Sequence, residues 1–133
     1  MRPKDFKKPP SDGTLVCTYA WAGLAENSPW LEAIAASGAL EVANSDALIK
    51  GGGISNRIAG KMHKELGIPL KDQHSNREHM EVDVEHANLL FQVAKKYVRN
   101  QEQEEQVLRG MAHSLAFNKS WFGLMATQME KMN

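Results

Sequence analysis

Cysteine is almost absent. Cys17 stands alone in 133 residues, so no internal disulfide can form and no cysteine-based zinc site can be built. A chain without disulfides suits a reducing compartment. The start of the chain, MRPKDFKKPPSDG, lacks the apolar core of a secretory signal, so the expected location is cytoplasmic. Long apolar runs are missing too. Nothing reaches the roughly 18 consecutive apolar residues that a membrane-spanning helix needs, and no membrane partner is expected. Net charge is absent as well, because 16 Lys and Arg balance 16 Asp and Glu. A neutral chain has no general field to draw it to nucleic acid or to an anionic surface. A nucleic-acid partner is therefore left to local patches and is not favoured.

What remains is ordinary globular material. The chain is 42% apolar and 24% charged, which excludes disorder throughout. Its length suits one domain, able to hide about two-thirds of the surface exposed on unfolding. Pro3, Pro9 and Pro10 oppose helix, and Arg2, Lys4, Lys7 and Lys8 keep the same stretch solvated. Residues 1–13 are expected to be a flexible basic tail, and residues 14–133 a single helical domain.

Helical spacing then dominates. Residues 14–26 are either helix or the start of a strand. Ala20, Ala22, Leu24 and Ala25 favour helix, with Leu15, Tyr19, Ala22 and Ala25 along one face. Asn27, Ser28 and Pro29 make a break, with Ser28 as N-cap and Pro29 at the first helical position. The next helix is expected to end at Gly38, with Trp30, Ile34 and Ala35 facing inward. Residues 39–53 are irregular, with room for a short helix at 45–50. Ile54, Ile58, Met62 and Leu66 recur at steps of four before Gly67 and Pro69, which predicts a helix with a glycine end. From residue 75 to 99, Met80, Val84, Ala87, Phe91, Ala94 and Val98 alternate steps of four and three. This is the expected central helix, those six residues forming its core face. Beyond it, Leu108, Met111, Ala112 and Leu115 form a stripe that returns at Phe122, Met125, Ala126 and Met129. Asn118 and Lys119 interrupt it, so the segment is two helices or one long helix with a polar step.

Three groups of residues invite function. Gly51, Gly52 and Gly53 precede a helix start carrying Ser55 and Asn56, and Arg57, Lys61 and Lys64 share one face beyond it. Free N–H groups at such a junction attract anions, so nucleotide or nucleic-acid phosphate is a candidate ligand. The P-loop pattern would need glycine at Ser55 and a hydroxyl at Met62, so this is not a P-loop. The surrounding segment, ANSDALIKGGGISNRIA, resembles the asparagine-plus-glycine loop of macro domains, which bind ADP-ribose. The resemblance covers 17 residues, and it implies a strand-rich fold that the helical spacing from Ser75 onward does not provide.

His79, Asp83 and His86 form the second group, one side of the central helix at steps of four and three. Imidazole and carboxylate at that spacing can hold a divalent metal, as in a metal-dependent enzyme. Three ligands from one helix converge poorly, so a second helix is needed, and His113 would supply it from an antiparallel neighbour. The third group is the apolar crowd at Trp121, Phe122, Leu124, Met125 and Met129, a surface suited to a protein partner.

These readings combine into an all-α fold, a small bundle of five or six helices after the tail. No catalytic constellation and no cofactor motif stands out, so the sequence points away from an enzyme. The expected function is helical interaction, as an oligomer or as a subunit of a larger assembly. Phosphate binding at residues 51–64 and a metal enzyme at His79, Asp83 and His86 are the alternatives.

Overall fold

In the computed structural model, residues 9–130 are described. They hold five α-helices and no strand: α1 Asp12–Asn27, α2 Trp30–Asn44, α3 Ile54–Leu66, α4 His74–Tyr97 and α5 Gln101–Glu130. A single 3-10 turn, Leu70–Asp72, links α3 to α4. The fold is thus the expected all-α bundle, without the sheet that a macro-type loop implies. No helix among the described residues is long and apolar enough to cross a membrane. Residues 1–8, most of the expected tail, lie outside the description.

Helix boundaries follow local chemistry, with four corrections. The helix choice for residues 14–26 holds, but α1 starts earlier, at Asp12, because the Ser11 hydroxyl accepts the Thr14 N–H at 3.2 Å and caps the first turn. Ser28 is the cap that closes α1, and Pro29 rather than Ser28 precedes α2. Gly38 does not end α2, which continues to Asn44. Residues 45–50 are turns, not a helix. The glycine end of α3 is as expected: Gly67 is left-handed at φ 67°, and its N–H donates to His63. The C-terminal segment is one helix that runs through Asn118 and Lys119.

The helices gather into two compact units. The first contains α1 and the part of α5 from Leu115 onward. Trp21 meets Phe117 at 5.1 Å between ring centroids, and Phe117 stacks on Trp121 at 6.5 Å. Further along, the Leu124 side chain lies against Gly13, and Gln128 donates to the Ser11 hydroxyl at 2.8 Å. Partner numbers fall along α5 as they rise along α1, so the two run antiparallel. The inner face of α1 is Cys17, Trp21 and Leu24, at steps of four and three. Leu15 and Tyr19, expected inside, are exposed.

The second unit contains α2, α3, α4 and α5 up to Ser114. Trp30 packs edge-on to Tyr97 at 5.3 Å, Gly38 lies under Leu90, and Glu41 meets His86. The falling and rising numbers make α2 and α4 antiparallel. Their contact is close. A methyl group added at Gly38 would fall 2.7 Å from the Leu90 Cβ, so only glycine fits there.

That closeness explains why several expected core residues are outside. The buried face of α2 is Leu31, Glu32, Ala35, Ala36, Gly38 and Ala39. Of the three inward candidates on α2, Ala35 is buried, but Trp30 and Ile34 are exposed. On α4 the fully buried positions are Asp83, Ala87 and Leu90, while Phe91 is exposed. On α5 Gly110 and Ser114 are buried, and Leu108 and Leu115 are exposed. Closely packed helices take small side chains at their line of contact, which pushes bulky ones to the rim.

Candidate functional site

The glycine loop is built around an internal carboxylate. α3 begins after Gly53, whose N–H donates to Asp46 Oδ1 at 2.7 Å. Asn56 Nδ2 donates to the other oxygen, Asp46 Oδ2, at 2.8 Å. Ser55 is buried and donates to the Asn44 side-chain oxygen at 3.3 Å. Gly51 and Gly52 have φ of 86° and 87°, which brings the loop round to face the helix start. Arg57 folds back, donating from Nε to the Gly52 carbonyl at 2.9 Å and from Nη2 to Lys50 at 3.1 Å. Lys61 and Lys64 are exposed. At the helix start where the sequence suggests an external anion, the structure places the chain's own Asp46 carboxylate. An external phosphate would have to displace it and would find Arg57 already committed to the loop.

The ionisable edge of α4 is built differently. Asp83 is 1% exposed, on the face that α4 turns toward α2, so the edge is buried at its centre. His79, one turn before it, donates from Nδ1 to the Asp83 carboxylate, at 3.0 Å to Oδ2 and 3.2 Å to Oδ1. His86 Nδ1 lies 3.8 Å from Asp83 Oδ1 and 3.2 Å from Glu41 Oε2 on α2. Glu41, Asp83 and His86 each present one donor atom, all within 4.8 Å of one another. Burial and the adjoining Asp83 carboxyl raise the Glu41 carboxyl above its ordinary range, and His86 opposes that rise. Two carboxylates with a half-exposed imidazole between them have the donor types and the spacing to hold a divalent ion.

His113 does not join this group. Its Nδ1 lies 3.2 Å from Glu32 Oε1, a buried carboxylate of α2. Arg109 Nε donates to Glu32 Oε2 at 3.3 Å, and Arg109 also lies 4.0 Å from Glu105. No sequence pattern linked Glu41 to His86, because 45 residues separate them and only the antiparallel pairing of α2 and α4 brings them together.

In the C-terminal segment, Trp121 is half-buried on Phe117, Met125 is half-buried, and Phe122 and Leu124 are exposed. The Met129 side chain lies outside the description. A further hollow of about 250 Å³ lies between α3 and α4, lined by Asn56, Ala59, Gly60, His63, Leu70 and Met80. No protein-family model, curated protein or solved structure matches this chain.

Proposed function

We propose that this chain is a helical interaction protein, and that it associates with a second copy of itself through Trp30 and Ile34 of α2 and Tyr97 of α4. The observation that carries this reading is the inverted placement of apolar residues. Among the described residues, those that are buried and apolar are Cys17, Leu31, Leu90 and five alanines, while many large apolar side chains are exposed. Trp30, Ile34 and Tyr97 are 51%, 40% and 42% exposed. They are contiguous, since Trp30 touches Tyr97 and Ile34 stands one turn along from Trp30.

Side chains of this size, half-uncovered, leave roughly 300 Å² of apolar surface on one copy. A two-fold contact uses the same patch twice, so a pair would bury roughly 600 Å² from these residues. That is below the ~1,200 Å² of a stable interface, so the association is weak and depends on concentration. With no net charge, copies do not repel one another at long range. Phe122 and Leu124 are a second exposed apolar surface, on the other unit.

Sedimentation equilibrium tests the reading. The chain is expected to shift from monomer toward dimer as its concentration rises, and Trp30→Glu is expected to hold it monomeric. A wild-type chain that stays monomeric at the highest soluble concentration overturns self-association.

A further inference from the structure

We propose that Glu41, Asp83 and His86 form a binding site for one divalent transition-metal ion that ties the end of α2 to the middle of α4. The site is distinct from the association face and does not rest on it. One imidazole nitrogen and two carboxylate oxygens are a donor set for zinc, manganese or cobalt, whereas magnesium and calcium prefer oxygen alone. Donors around a tetrahedral zinc ion stand about 3.4 Å apart, given bonds of about 2.0–2.2 Å. The His86–Glu41 and His86–Asp83 separations, 3.2 and 3.8 Å, bracket that value, and all three donors lie within 4.8 Å of one another.

Three further observations separate this group from a chance gathering of surface charge. Asp83 is 1% exposed, and a carboxylate so placed needs cationic or hydrogen-bonding neighbours. Here its nearest neighbours include a second carboxylate, which an ion of charge two would neutralise together with it. His79, one turn before Asp83, donates to its carboxylate, as an outer partner that orients a ligating group does. Glu41 and His86 have side chains 34% and 49% exposed, which gives an ion a route in and leaves coordination positions for water or a ligand.

Titration of the tag-free full chain with cobalt(II), followed by its visible spectrum, and with zinc, followed by calorimetry, tests the site. One saturable equivalent is expected, with a spectrum of nitrogen and oxygen ligands. Glu41→Gln and His86→Ala are each expected to weaken binding at least about tenfold, given what loss of even an outer partner costs. His113→Ala, at a histidine that pairs with Glu32 instead, is expected to bind as wild type does. Both site variants change half-exposed side chains, and circular dichroism establishes that they remain helical. Absence of saturable binding in the wild type, or undiminished binding in folded Glu41→Gln and His86→Ala, overturns the proposal.

Discussion

Asp46 accepts two hydrogen bonds at the start of α3, from the Gly53 N–H and from Asn56. Its carboxylate also meets the positive end of the helix dipole. Asp46→Ala removes the charge and leaves the Gly53 donor, itself buried, without its acceptor. The expected cost is about 0.5–2 kcal/mol, the range for losing a helix cap. Urea denaturation measures it, and hydrogen exchange should show faster exchange at Gly53 and in the first turn of α3. An unchanged midpoint and unchanged exchange would show that the loop does not depend on this contact. Legibility at this scale was partial. The glycines and the helix start mark an anion position in the sequence, but Asp46 looks like an ordinary turn residue there. Only the fold of residues 44–53 shows that the chain supplies the anion.

Gly38 makes the corresponding point for a helix. Read along the chain, a glycine after an alanine-rich stretch looks like a stop, since glycine is a poor helix former. Here its lack of a side chain lets α2 approach Leu90 of α4. Gly38→Ala is expected to destabilise the second unit by about 1–3 kcal/mol through overpacking, despite better helix propensity. Combined with Leu90→Ala, the total loss is expected to be smaller than the sum of the two single losses, because the two changes share one contact. Thermal denaturation of the two single variants and the double variant tests this; strict additivity would break the link between them. The same contact explains why helix existence was legible and helix facing was not. The spacing of apolar residues places five helices nearly where they are. It also ranks Phe91, Leu108, Trp30 and Ile34 as core because they are large. In this fold the contact lines select small residues, and Ala35, Ala87 and Gly110 take the inner positions. The Asp83 edge was legible as a polar run, but its burial and its pairing with Glu41 belong to the packing of α2 on α4.

For the whole molecule, the proposed self-association ties stability to protein concentration. A chain that associates when folded and not when unfolded gains stability by mass action. The melting temperature is therefore expected to rise with protein concentration for the wild type and to stay level for Trp30→Glu. Differential scanning calorimetry over a hundredfold concentration range reads this directly, and a flat wild-type series would contradict the association face. The class of fold was legible throughout, because four long segments carry clear helical periodicity and Pro29, Gly67 and Pro69 punctuate them. Grouping into two units was not, because α5 is continuous in sequence and in structure and belongs to both.

The three tryptophans are divided between those units. Trp21 and Trp121 both sit with Phe117 in the first, and Trp30 is the lone tryptophan of the second, half-exposed beside Tyr97. The protein thus carries separate optical reporters. With Trp21 and Trp121 changed to phenylalanine, all indole emission comes from the surface assigned to association. With Trp30 changed instead, it comes from the pairing of α1 with the end of α5. Quenching and emission colour can then be followed for each unit without attaching a dye to either.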